Sequence, residues 1–141
     1  MTDLDIQIQQ FFHEYEKANA EFDVQKIAAC CAEVFFFAGP AGIQVVRKED
    51  FVKVLPRRKE FFRSSGLVSS EIANLEISAL DSRYILTRAA WRMRFERGAA
   101  EPLVSENFAT YILSLTDDGF EIVFQIDHQD LAKKVAELGL Q

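Results

Sequence analysis

Asp127 and His128 are the first residues in this chain from which side-chain chemistry could be built. An aspartate that orients a histidine is a general-base arrangement. Neighbours on an extended strand point to opposite faces, so a strand that persists through His128 would separate the two groups. Asp127 belongs on the inner side with Gln125 and Val123, because Phe124 and Ile126 suit a packed opposite face. In an acid–base reaction Asp127 would be the base. Tyr111 or Tyr15 would then donate to an oxygen gaining negative charge. His13 falls on the polar side of a helical stripe and reads as solvated.

Other chemistries find little material. The chain has 2 His, far apart, and 2 Cys, which are the neighbours Cys30 and Cys31. That set offers no metal spacing, and no cofactor is expected. Adjacent cysteines close a disulfide only with strain. They read as small apolar packing residues in a reducing compartment, the alternative being a reactive thiol. There is no glycine-rich phosphate loop and no nucleophile elbow. The basic run Arg57-Arg58-Lys59, with Arg63, reads as a solvated helix face, the alternative being attraction of an anionic partner.

Composition narrows the partners. The 141 residues suit one domain spanning residues 1–141. A net charge of −6 makes nucleic acid a poor partner. The start, Thr2-Asp3-Leu4-Asp5, is acidic, unlike a secretion signal. The longest apolar run, Val34-Phe35-Phe36-Phe37-Ala38, is too short to span a bilayer. A cytoplasmic protein without a membrane partner is expected. The 13 Phe are many for this length and call for either a thick core or a core plus a second apolar surface, a pocket or a dimer face.

The elements that must position these residues follow from periodicity. Leu4, Ile8, Phe11, Phe12, Tyr15, Ala18 and Phe22 form one stripe, which predicts a helix over 3–22. Asp23 can cap a second helix reaching about Cys31. Val34 to Ala38, the turn Gly39-Pro40-Ala41-Gly42 and Ile43 to Val46 predict a hairpin. A third helix is predicted over 48–64, with a kink or break at Pro56 and a glycine cap at Gly66. Four long strands follow, near 68–80, 83–96, 103–115 and 120–128, and the simplest topology is an antiparallel meander. A short helix carrying Leu131, Val135 and Leu138 closes the chain. On the second long strand, Ile85, Thr87, Ala89, Trp91, Met93 and Phe95 share an apolar face that should meet the helices, with Trp91 marking a pocket wall. Arg88, Arg92 and Arg94 share the outer face, where Glu76 or Glu106 could pair with them or a second copy could cover them, the alternative being an anion site. On the third, Asn107, Ala109 and Tyr111 alternate with Phe108, Thr110 and Ile112, and the pattern leaves open which set points inward.

The element order resembles the nuclear transport factor 2-like superfamily, which includes SnoaL-like polyketide cyclases, ketosteroid isomerase and scytalone dehydratase. The segments that carry the likeness are Phe11-Phe12-His13-Glu14-Tyr15, Trp91-Arg92-Met93-Arg94-Phe95, Ser105-Glu106-Asn107-Phe108-Ala109-Thr110-Tyr111, and Gly119 through His128. They look most like the β-meander of SnoaL-like proteins. The resemblance implies an α+β fold in which a cone-shaped, curved antiparallel sheet wraps on the N-terminal helices, the cystatin-like roll. It also implies a pocket at the open end and a frequent homodimer, and it places Asn107 and Tyr111 in the pocket. The residues do not reproduce the isomerases' acid base with a Tyr–acid oxyanion pair, nor the dehydratase's two pocket histidines.

Three functions are consistent with this reading. The first is a homodimeric pocket protein that binds a small apolar molecule, with Tyr15, Trp91, Asn107, Tyr111 and Asp127 as its polar or aromatic contacts. The second is a cofactor-independent enzyme of cyclase, isomerase or dehydratase type. The third is an oligomerisation module whose pocket is filled by its own Phe side chains. An open cavity separates the third from the others, and a buried acid near a tyrosine hydroxyl separates the second from the first.

Overall fold

The computed structural model describes residues 2–137, so Leu138 lies outside the described residues. Ten elements follow in chain order: α1 (Asp3–Glu21), α2 (Val24–Ala29), β1 (Cys31–Gly39), β2 (Gly42–Arg47), α3 (Lys48–Ser64), β3 (Leu67–Ala79), β4 (Tyr84–Arg97), β5 (Ala100–Thr116), β6 (Gly119–Asp127) and α4 (Leu131–Glu137). The strands form one six-stranded sheet in the order β2-β1-β6-β5-β4-β3. The run β3 to β6 is the expected antiparallel meander. The β1–β6 pair is parallel and joins the early hairpin to the last strand.

Helix α1 begins at a capping box: Thr2 Oγ1 accepts from Asp5 N at 3.1 Å, and Asp5 Oδ2 accepts from Thr2 N at 3.2 Å. Its stripe buries Ile8, Phe12, Tyr15 and Ala18. The helix stops before Phe22, which was expected inside it. Phe22 is instead the C-cap, in the left-handed region at φ 50°, while the Asp23 amide closes the turn on Ala18 O at 2.9 Å. Asp23 caps α2 by accepting from Lys26 N at 3.2 Å. That helix ends at Ala29 rather than near Cys31, because Cys31 already pairs in parallel with Ile122.

Of the kink or break expected at Pro56, the break does not occur: helix α3 runs on through Pro56. Proline withholds one intrahelical bond, but Leu55 on one side packs with Ala18 and Ile27 of the first two helices and Phe62 on the other with Met93 and Phe95 of β4, which holds the helix in place. Gly66 then turns the chain into β3 at φ +91°, accepting from Glu96 N at 2.9 Å.

The inner face of β4 is the predicted one: Ile85, Thr87, Ala89, Met93 and Phe95 are buried, and Trp91 is half-buried. The core runs from α1 onto this face, with Phe12 packed on Tyr111 at 5.0 Å between ring centroids. A second cluster joins Phe62 of α3, Met93, Phe95 and Val135 of α4. A third joins Ala18, Ile27 and Leu55, holding the first three helices together. On the outer face Arg88 pairs with Glu76 and Arg92 with Glu71, each at 3.8 Å. Glu106 faces Arg92 in register, but the ion pair of Arg92 forms on the other side, with β3.

One prediction of side-chain direction fails at a bulge. Leu113 pairs with Ile122 and Ile112 with Phe124, so Val123 is the extra residue on β6. The buried Ile122 therefore joins the inner face in place of Val123, while Gln125 and Asp127 stay on it, across from Tyr111 and Ala109.

Candidate functional site

Between the inner face of the sheet and helices α1 and α3 lies a cavity of about 710 Å³. Its size falls within the range of roughly 300–1,000 Å³ common for small-molecule sites. Buried Tyr15, Ile27, Leu55, Phe62, Met93 and Tyr111 form its floor and walls, and exposed side chains of α1, α3 and β3 form its rim.

The floor is aromatic with a single line of polar atoms. Trp91 Nε1–H donates to the Tyr111 hydroxyl at 3.1 Å. Tyr15 meets both rings edge-on, at 6.2 Å from Trp91 and 6.1 Å from Tyr111. Burial drives both phenols well above the ordinary tyrosine range. For Tyr111 the Trp91 hydrogen bond pulls the other way, the negative charge of Asp127 adds to the rise, and Arg58 and the Tyr15 hydroxyl oppose it. Both hydroxyls therefore keep their protons at neutral pH. Because Trp91 already occupies one lone pair of Tyr111, the phenol is oriented to spend its own proton on another acceptor.

Asp127 sits half-buried at the end of β6, and its carboxylate accepts from Gln125 Nε2 at 3.0 Å. His128 points away and shares a 2.7 Å hydrogen bond with Thr110 Oγ1 at the exposed side. β6 ends at Asp127, and His128, in the bend that follows, is held on the outer side by Thr110, so no Asp–His dyad forms. Asn107 lines the cavity, but its amide is engaged elsewhere: Oδ1 accepts from Lys134 Nζ at 2.7 Å and Nδ2 donates to Met93 Sδ at 3.1 Å. Its evident work is to pin α4 to β5. Of the five residues singled out from sequence, Tyr15, Trp91, Tyr111 and Asp127 thus present groups to one space, and Asn107 borders it with its polar atoms committed.

Sequence reasoning missed the rim. Lys17, Arg58, Lys59 and Arg63 border the opening, as does His13. All are exposed, as read, yet they face the cavity mouth. The signal was present in the spacing: Leu55, Arg58, Lys59 and Phe62 stand at i, i+3, i+4 and i+7, one side of a helix. Glu16 of α1 accepts a short hydrogen bond from Ile72 N, where β3 bulges. The two thiols lie apart from the cavity floor. Burial pushes Cys30 up to about 11 and Cys31 up to about 12, so they stay protonated and inert near neutrality.

Among the described residues, no group of three or more His, Cys, Asp or Glu could hold a metal ion. Among them, too, no helix is long and apolar enough to cross a membrane.

A curved sheet closed over its first and third helices around an apolar hollow is the cystatin-like, nuclear transport factor 2-like α+β roll. The chain belongs to the family described as NTF2-like protein (DUF6841), whose model matches residues 4–130. No curated protein matches the sequence. Among solved structures, Aln2 from a Streptomyces species is similar with a TM-score of 0.73 at 14% identity, covering 96% of this chain and 97% of its own. An NTF2-like protein of unknown function from Shewanella oneidensis gives 0.67 at 13%, covering 89% and 98%. A ketosteroid isomerase-like protein from Erwinia carotovora atroseptica gives 0.67 at 13%, covering 92% and 98%. At these identities the likeness is one of fold.

Proposed function

We propose that this protein binds a small, predominantly apolar molecule in the cavity between α1, α3 and the sheet, and does so as a homodimer. The observation that carries the reading is the cavity of about 710 Å³, walled by aromatic and aliphatic side chains, with the Trp91–Tyr111 pair at its floor. An apolar body would replace poorly solvated space, and the neutral Tyr111 hydroxyl would meet one oxygen of the ligand. The open cavity gives no support to a module whose hollow is filled by its own Phe side chains. Native mass spectrometry of the protein as purified tests the reading: a bound small-molecule mass is expected. A bare chain that also fails to bind the neutral apolar probe N-phenyl-1-naphthylamine would overturn it.

A second reading, cofactor-independent acid–base catalysis, is favoured by one observation: Asp127 and Tyr111 line the same cavity, with Gln125 paired across from Tyr111 and donating to Asp127 at 3.0 Å. Asp127 would take a proton from the carbon beside a carbonyl. Tyr111 or Tyr15 would donate to the enolate oxygen, and Asp127 would return the proton. Deuterium exchange at the α-carbon of 2-tetralone in D2O, followed by NMR, tests this. Exchange that is catalysed by the native protein and lost in Asp127→Asn is expected under this reading, and an uncatalysed rate in both would sink it.

A further inference from the structure

The cavity mouth is cationic on an acidic protein. The chain carries a net charge of −6, yet Lys17, Arg58, Lys59 and Arg63 all border the opening. The acids that share the lining are Glu16, Glu71 and Asp127. Glu16 is spent on the Ile72 amide and Glu71 on Arg92. Arg63 is paired with Glu60 at 3.8 Å. Among the described residues, Arg58 and Lys59 form no ion pair. They lie instead against aromatic rings of the same lining, Arg58 at 5.4 Å from the Phe62 centroid and Lys59 Nζ at 4.4 Å from that of Phe22. A ring face steadies a cation without consuming its N–H donors, so both heads are held at the mouth with hydrogen bonds to give.

The charges are also ordered along the cavity. Asp127 is half-buried on the inner face of β6, whereas Arg58 and Lys59 stand exposed on α3 at the same cavity. An anionic group pushed to the floor would meet Asp127. At the rim it would meet Arg58 and Lys59, in solvent that lowers the desolvation cost. We infer that the ligand is an organic acid with a large apolar body, lying body-inward with its carboxylate or sulfonate bound by Arg58 and Lys59 at the mouth. This rests on the ligand-binding reading above and adds the chemical class and the orientation.

Two fluorophores with one aromatic skeleton separate the two claims: 1-anilinonaphthalene-8-sulfonate carries the acid, and N-phenyl-1-naphthylamine lacks it. The chain's single Trp is Trp91, at the cavity, so energy transfer from it locates either probe. Both are expected to bind native protein. In the double variant Arg58→Gln, Lys59→Gln, the sulfonate should bind roughly five- to tenfold more weakly and the neutral amine within about twofold of native, since exposed charge contacts are modest. The sulfonate's advantage should also shrink at high ionic strength. Both positions are exposed, and circular dichroism confirms that the variant is folded. If the neutral probe binds but the double variant leaves sulfonate affinity unchanged, the acid at the mouth is wrong and the apolar pocket stands. If neither probe quenches Trp91, the pocket reading fails and this inference fails with it.

Discussion

Tyr111 is the residue on which the floor of the cavity is organised. It packs against Phe12, accepts from Trp91 and faces Tyr15, all while fully buried. Replacing it with Phe keeps the ring and removes the acceptor, which leaves the indole N–H short of its partner. Tyr111→Phe should therefore cost about 1–2 kcal/mol in urea unfolding and shift the emission of Trp91. Unchanged stability and unchanged emission would mean that the hydrogen bond contributes nothing. The half-buried thiol of Cys30, the buried thiol of Cys31 and the two buried phenols give a second prediction, in pH. Cys30 and Cys31 ionise near the ordinary thiol value of 9.0 in the unfolded chain but only at about 11 and about 12 when folded. Their contribution is complete below pH 9 and is lost as pH rises toward the folded values. Tyr15 and Tyr111, also raised, act in the same direction from their ordinary value of 10.0 upward. Urea midpoints should hold level up to about pH 9 and then fall steadily. A midpoint that stays flat to about pH 11 would contradict the burial of these groups.

At the scale of elements, two junctions hold the roll closed around the cavity. The first is the α3–β3 turn. A Cβ on Gly66 would stand 2.3 Å from the Glu96 carbonyl oxygen, and its φ of +91° is already hostile to other residues. Gly66→Ala should destabilise the fold by more than about 1 kcal/mol, because strain and clash add. A neutral result by thermal melting would show that β3 and β4 can part there without cost. The second junction is α4, a helix too short to persist unaided. Lys134 ties it to Glu106 O at 3.0 Å and to Asn107 Oδ1 at 2.7 Å, while Val135 packs on Phe62, Met93 and Phe95. Lys134→Met retains apolar length and deletes both bonds. Hydrogen exchange should quicken in residues 131–137 while α1 keeps its protection. If exchange in α4 stays slow, packing by Val135 alone suffices.

At the scale of the whole molecule, the open question is what covers the outer face of the sheet. The register places Val45, Phe36, Phe124, Ile112 and Leu86 in one row across five strands, with Val45 65% and Phe36 43% exposed. Isolated apolar residues on a surface are ordinary, but a contiguous row invites a partner. This supports the homodimer proposed above. Light scattering at micromolar concentration should give twice the chain mass of 16.1 kDa, and Phe36→Glu should reduce it toward the single-chain value. A single-chain mass for the unaltered protein would remove the dimer from the proposal without touching the cavity.

The sequence by itself determined whatever depends on neighbours along the chain. Helix stripes, caps, turn glycines and strand alternation are local, and they located α1, α3, the meander and the inner face of β4 with its Trp91. Alternation would separate Asp127 from His128 on a continuing strand, but β6 ends at Asp127 and it is the bend at His128 that turns the imidazole toward Thr110. Tertiary structure decided what depends on partners far away in sequence. The parallel pairing of Cys31 with Ile122 ended α2 early, the bulge at Val123 exchanged it for Ile122 on the inner face, and packing at Leu55 and Phe62 carried α3 through Pro56. It also brought Arg58 and Lys59 to the mouth of a hollow whose floor is set by residues from α1, β4, β5 and β6. Periodicity reports which face a side chain takes. Where that face ends up, and which charges it meets there, is fixed only when the sheet closes over the helices.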